Sequence, residues 1–264
     1  MNRLFSAKVL GATLVGLFSL ACLPARAATE LTIAFEDKEQ FPNYLGNSAE
    51  IDPAKPGVHV ELVKVTAAEL GIALKLVRMP WKRALDTLKS GEVDGVFSGS
   101  FSADRLEIGV YPMKDDAPDE SLRIGTIAYS LYRQKGGNVS WDGKTVSNLN
   151  GPVGAPAGYS IVADLRKIGV TVEESSATPL DLAKLKAGRV GAVAAQEFTA
   201  DQLLKRADFA GIEKVTPALV VKHYYLLFSH QIARKDPGLI RKFWETLAKH
   251  RDVSAEALAA KYSE

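Results

Sequence analysis

Residues 80–105 read PWKRALDTLKSGEVDGVFSGSFSADR, a helix, a stop and a strand in succession. Trp81, Ala84, Leu85 and Leu88 recur at helical spacing, and Pro80 suits the first turn of such a helix. Gly91 then ends it, as glycine does at a helix C-terminus. Val93, Val96 and Phe97 make a short apolar strand that runs out into Ser98, Ser100 and Ser102, followed by Arg105. In an open α/β sheet, ligands sit beyond the carboxyl ends of the strands. An arginine among hydroxyls at such an end suits a carboxylate, because its planar fork donates two parallel hydrogen bonds. The alternative for Arg105 is a helix cap or a surface pair with Glu107.

The pattern extends in both directions. Upstream, Leu31 to Phe35 predicts a strand, Asp37 to Gly57 a Pro/Asn/Gly-rich loop, Val58 to Leu70 a helix with a wide apolar face, and Ile72 to Val77 another strand. Downstream, Lys114 to Glu120 is an acidic loop, and Leu122 to Tyr132 predicts a long strand crossing to a second lobe. There the alternation resumes. A strand ends at Val153 and a helix begins at Ser160; Val170 to Glu173 is a strand, Pro179 to Ala187 a helix, Val190 to Ala195 a strand and Phe198 to Lys205 a helix. His223 to Ser229 predicts the returning strand, and two helices, Pro237 to His250 and Ser254 to Lys261, finish the chain. Such β-α alternation argues for mostly parallel sheets flanked by helices. The expected fold is therefore α/β and two-lobed, with a ligand cleft between the lobes. Lobe 1 takes residues 28–126 and 228–264, and lobe 2 takes residues 127–227.

Residues 1–27 have the form of a secretory signal peptide. Arg3 and Lys8 precede an apolar run from Val9 to Leu23, and Ala25-Arg26-Ala27 is a small-x-small cleavage site. About 15 apolar residues fall short of the roughly 20 that a spanning helix needs. Cleavage after Ala27 would place the chain in the periplasm and remove Cys22, the only cysteine, which also keeps a lipoprotein alternative open. Disulfides and thiol chemistry are then excluded even in an oxidising compartment. Arg3, Lys8 and Arg26 account for three of the 33 basic residues, whereas none of the 31 acidic residues lies in the leader. The remainder is near neutral, which gives no support to a nucleic-acid partner.

The run Trp81, Arg83, Leu85, Leu88, Gly91, Asp94, Ser102 and Arg105 closely resembles the extracellular (periplasmic) solute-binding proteins of family 3, the receptors of polar amino acid ABC transporters. The resemblance covers nearly all of the chain after the leader. It implies a monomeric receptor, without cofactor or catalysis, that delivers a small polar solute to an inner-membrane ABC permease. By the same resemblance, Arg105 grips the ligand carboxylate, while Ser98 and Ser100 fall on ligand-contact positions. Gly158-Tyr159-Ser160 matches the Gly-Thr/Ser pair at the start of a second-lobe helix, whose free N–H groups also receive an anion on general grounds. Ser160 could equally N-cap that helix. Glu36, Phe41 and Tyr44 match an acid and aromatic residues that touch the ligand, and Trp81 is either core or cleft wall.

One position departs from the pattern. Where amino acid receptors have an aspartate for the ligand ammonium, this chain has Gln196, in Gly188-Arg189-Val190-Gly191-Ala192-Val193-Ala194-Ala195-Gln196-Glu197. A neutral amide supplies no ion pair, so either Glu197 or another acid compensates, or the ligand lacks an ordinary α-amino group. The departure keeps a second class open, a periplasmic enzyme on the same scaffold resembling cyclohexadienyl dehydratases. A ligand-presenting partner of a membrane sensor is a third. No H-E-x-x-H, C-x-x-C, G-x-S-x-G or P-loop occurs, and His59, His223, His230 and His250 lack metal-ligand spacing.

Overall fold

The computed structural model describes Met1 and residues 29–263. The expected leader beyond Met1, with Cys22 and the cleavage site after Ala27, lies outside the described residues. In the first half, β1 (Glu30–Glu36), α1 (Val58–Glu69), β2 (Ala73–Met79), α2 (Trp81–Ser90) and β3 (Gly95–Ser100) alternate as the sequence predicts. Strand β1 pairs in parallel with β2 on one side and β3 on the other. Gly91 ends α2 at φ 80°, in the left-handed region that glycine enters freely. Asp94 ties the turn before β3 to β1, its Oδ2 accepting the Thr32 amide at 2.8 Å.

The acidic stretch Lys114 to Glu120 is partly a hairpin, β4 (Met113–Lys114) with β5 (Ala117–Pro118). Asp115 turns it at φ 55°, a conformation aspartate tolerates better than most side chains. The long strand β6 (Gly125–Gln134) follows, three residues later than the apolar run suggests. After the small hairpin β7 (Ser140–Trp141) and β8 (Val146–Ser147) come β9 (Val153–Pro156), α3 (Ser160–Lys167), β10 (Val172–Ser175), α4 (Thr178–Lys186), β11 (Ala192–Gln196), α5 (Glu197–Leu204) and β12 (Ile212–Lys214). The return strand is β13 (Val220–Phe228), and α6 (His230–Lys235) and α7 (Pro237–Lys261) end the described chain.

The last segment corrects an expectation. Pro237 to Lys261 is one helix, not two. Asp252 and Ser254 look like the start of a new helix, yet no glycine or proline interrupts the run after Gly238. A polar residue inside a helix costs only a few tenths of a kcal/mol up to about 0.7. Buried Ile240, Phe243, Trp244, Leu247 and Leu258 hold the whole length.

Hydrogen bonding is continuous across both lobes, in the order β10-β9-β11-β6-β13-β3-β1-β2, with β12 on β6. The continuity passes only through the two crossing strands. Residues Tyr129 to Tyr132 of β6 pair antiparallel with β11 in the second lobe. Residues Tyr224 to Phe228 of β13 pair antiparallel with β3 in the first. Between those stretches β6 and β13 pair with each other, Gly125 opposite Tyr224 and Tyr129 opposite Val220. Each lobe thus has a parallel three-stranded set closed by one antiparallel crossing strand. The carboxyl ends of β1, β3 and β11 and the start of α3 face one another across the gap.

Candidate functional site

Twelve side chains line a cavity at that junction. The space left between them is close to that of one water molecule, so anything larger is held only if the lobes part. Glu36 comes from the end of β1, Gln40 and Tyr44 from the loop after it, and Trp81 from the start of α2. Ser98 and Ser100 belong to β3, and Arg105 to the short 3-10 helix beyond it. Tyr129 and Tyr224 come from the crossing strands, Tyr159 and Ser160 from the entry to α3, and Gln196 from the last position of β11.

Arg105 is 4% exposed, which rules out the surface pair with Glu107. Its Nη1 donates to the Ser100 carbonyl at 2.8 Å, and its Nη2 reaches across the cleft to the Gly158 carbonyl at 2.8 Å. The guanidinium carbon lies 5.6 Å from the Trp81 ring centre, within cation–π range. Trp81 is both core and cavity wall, and its indole N–H also donates to the Gly158 carbonyl, at 3.2 Å. Ser160 is the first residue of α3 and does not cap it. Its hydroxyl meets the Ser100 hydroxyl at 2.7 Å, a second link between the lobes. Ser98 sits at φ 65°, and its hydroxyl is 2.7 Å from His59 Nδ1. Burial drives the His59 pKa down to about 3, so this ring is neutral.

Glu36 occupies the other side of the cavity, 4% exposed. Gln40 Nε2 at 2.7 Å, the Tyr44 hydroxyl at 2.9 Å and the Tyr159 hydroxyl at 2.5 Å all donate to its Oε2. None of the three uses Oε1. Burial pushes the Glu36 carboxyl up to about 7, although the donated Tyr159 and Tyr44 hydrogen bonds favour its ionised form. Burial and the nearby Glu36 carboxyl hold the Tyr44 and Tyr159 phenols well above their ordinary pKa. Gln196 Nε2 donates to the Tyr129 hydroxyl at 3.2 Å and the Tyr224 hydroxyl at 3.1 Å, and those two hydroxyls are 2.7 Å apart.

Of the eleven residues singled out in the sequence, nine line this cavity: Arg105, Ser98, Ser100, Glu36, Tyr44, Trp81, Tyr159, Ser160 and Gln196. Phe41 does not; it borders two grooves outside. Glu197 does not either. Its carboxylate accepts from the Ser130 hydroxyl at 2.6 Å and lies 3.7 Å from Lys214 Nζ. Successive residues of a strand point to opposite faces, and Gln196, which ends β11, takes the cavity side. Gln40, Tyr129 and Tyr224 were not singled out in the sequence. Strand alternation alone would have put Tyr129 on one of two faces, without saying which one meets the cleft.

No protein-family model matches the chain. No curated protein matches it in sequence. Solved structures do match in shape. The GluR0 ligand-binding core from Nostoc punctiforme in complex with L-glutamate is 19% identical at a TM-score of 0.67, covering 88% of this chain and 98% of that one. A histidine kinase sensor domain with similarity to periplasmic binding proteins is 18% identical at a TM-score of 0.70, covering 90% and 97%. An ancestral amino acid-binding protein, a precursor of cyclohexadienyl dehydratase, is 14% identical at a TM-score of 0.66, covering 89% and 95%. The fold is the two-lobed one of periplasmic binding proteins, with the cavity at the inter-lobe cleft.

Proposed function

We propose that this protein is a periplasmic solute-binding protein that traps a small, polar, carboxylate-bearing solute, an amino acid or an analogue, and hands it to an ABC-type importer. One observation carries the reading. The buried Arg105 and the buried Glu36 line the same cavity, and the hydrogen bonds Arg105–Gly158, Ser100–Ser160 and Tyr159–Glu36 cross the cleft around it. Such contacts are what hinge closure around a ligand uses. Arg105 takes the carboxylate, and Glu36 accepts from whatever donor the ligand carries at its other end. With Glu197 turned away, Glu36 is the acid left to meet an ammonium. Secretion rests on the leader sequence; among the described residues no helix is long and apolar enough to cross a membrane.

A buried carboxyl whose pKa is pushed up to about 7 beside a cavity can also give up a proton, and this favours the dehydratase-like enzyme as the second reading. One experiment separates the two. Small molecules released from purified protein by denaturation are identified by mass spectrometry and returned to the protein in excess. Stoichiometric recovery of the unchanged compound supports a receptor; conversion supports an enzyme. Release of no carboxylate-bearing compound, with no binding of any in a thermal-shift screen, would sink both. A bound ligand at a hundred times its Kd stabilises by about 2.7 kcal/mol, so the screen has room to see it.

A further inference from the structure

One of the grooves that Phe41 borders is larger than the cavity and mostly apolar, with a volume of about 510 Å³. That falls within the ~300–1,000 Å³ of small-molecule sites. Its walls come from both lobes. Leu62 of α1 and Leu258 and Ala259 of α7 stand on the lobe 1 side, Phe198 of α5 belongs to lobe 2, and the start of β6 completes the lining. Phe198 is 60% exposed, a large apolar side chain without cover.

Two polar side chains on this lining are buried without a full set of partners. His59 is 2% exposed and Asn43 8%. They adjoin, the His59 amide donating to the Asn43 carbonyl at 2.9 Å. His59 Nδ1 is spent on Ser98, and among the described residues nothing pairs with its Nε2. Among the same residues Asn43 is hydrogen-bonded only through its backbone. Neither group is sealed in, so each reaches the open space of the groove. A Cβ on Gly125 would lie 2.6 Å from His59 Nε2, so the ring stands there because residue 125 is glycine. Other polar groups on the wall are engaged. Arg251, the one charged side chain on the described lining, donates to the Ser121 and Arg123 carbonyls and to Asp252. The Tyr262 hydroxyl takes the Gly57 amide hydrogen and gives its own to Glu61. Gln196 donates to Tyr129 and Tyr224.

We infer that this groove is a second small-molecule site, which takes an uncharged, largely apolar molecule with one hydroxyl seated at the His59–Asn43 corner. It does not depend on the carboxylate reading of the cavity. Apolar walls favour an apolar body, and a charged ligand would be buried here without a counter-charge, which is costly. A hydroxyl both donates and accepts. It therefore satisfies His59 Nε2 in either tautomer, and the Asn43 carboxamide, which has a donor and an acceptor, takes the role that is left.

The test uses 2-naphthol and 2-methylnaphthalene, which have nearly the same shape and differ by a hydroxyl against a methyl. Binding is measured by equilibrium dialysis at pH 7 for the wild type, Asn43→Leu, His59→Phe, Ala259→Trp and Arg105→Ala. The wild type should hold 2-naphthol roughly five- to a hundredfold more tightly, the span for buried polar groups left without a partner. Asn43→Leu and His59→Phe should each shrink that ratio by weakening 2-naphthol and not 2-methylnaphthalene. Ala259 is exposed on α7, so a tryptophan there fills the groove without entering the core and should abolish binding of both probes. Arg105→Ala, in the other cavity, should change neither. Equal affinity for the two probes in the wild type overturns the proposal. So does binding that survives Ala259→Trp or is lost in Arg105→Ala, and so does a wild type that binds neither probe up to its solubility. If Asn43→Leu or His59→Phe fails to fold, the wild-type ratio and Ala259→Trp still decide.

Discussion

The two ends of the cavity are built on opposite electrical logic. At one end Arg105, Ser100 and Ser160 are held by backbone carbonyls and by each other across the cleft, and every fixed hydrogen there is directed at an acceptor. At the other, Glu36 collects three donated hydrogen bonds on a single oxygen, and none of the three uses the second. Burial acts on both ends but differently. The guanidinium can only donate, whereas burial brings the Glu36 carboxyl to about 7. The donor end is therefore permanent, and the acceptor end can be switched by a proton. Tyr129, Tyr224 and Gln196 also line the cavity and are hydrogen-bonded to one another, Gln196 donating to both hydroxyls.

The largest expected effect breaks the permanent end. Arg105→Ala removes a buried charged partner, which costs roughly 2–5 kcal/mol, or about 30- to several-thousandfold in affinity for a carboxylate ligand. Calorimetry should show that loss while circular dichroism stays native. Unchanged affinity would take Arg105 out of the site.

A carboxyl elsewhere supplies the reference for the switchable end. Asp181 of α4 is fully buried, neither of its oxygens has a hydrogen-bond partner, and burial raises its pKa to about 7. It shows what burial does when it outweighs the Ser175 hydroxyl and the Lys184 charge nearby, both of which favour the ionised form. Its folded pKa exceeds its unfolded one, so the protein holds this proton longer than the unfolded chain does. Stability is then lost as the pH climbs from the unfolded value toward about 7 and stays lost above. Asp181→Asn should accordingly stabilise the protein at about pH 8 by on the order of 2–4 kcal/mol, and by almost nothing below about pH 4. Urea melts at both pH values check this. An equal gain at both would mean that packing against Gly154, not charge, is responsible.

Glu36 should behave as a switch in binding. A ligand that brings an ammonium to Oε1 requires the ionised carboxyl. Its affinity should rise by up to about tenfold per pH unit below about pH 7 and level off above, and Glu36→Gln should flatten the profile. Affinity that instead falls as the pH rises would show that a protonated Glu36 donates to the ligand, and both ends would then be donors.

The smallest effect concerns the middle. Gln196→Glu keeps the shape but turns a donor into an acceptor, so the Tyr129 and Tyr224 hydroxyls donate back toward it. Affinity for amino-bearing ligands should improve by about 1 kcal/mol or a few-fold, with purely anionic ligands weakened. A thermal-shift comparison of L-alanine with propionate reads this directly.

Much of this was visible in the chain itself. The order of strands and helices, the stop at Gly91 and the arginine beyond β3 follow from local periods and caps, which act within a few residues and need no partner. The hairpins at Met113–Pro118 and Ser140–Ser147 and the addition of β12 to β6 were not visible. Strands of two or three residues carry no period, and their partners lie elsewhere in the chain. The apparent break in α7 was a local signal overruled by packing.

By itself the sequence determined the two-lobed α/β plan and most of the residues that reach the cavity. The tertiary structure alone decided which acid lines the cavity, Glu36 and not Glu197, and that Gln40, Tyr129 and Tyr224 join it. The physical reason is that a side chain's facing is fixed by strand twist and pairing, and a group's charge by what covers it. Here the cover comes from the opposite lobe, as in Tyr159 on Glu36, 123 residues away in the chain, and Gly158 on Arg105, 53 residues away.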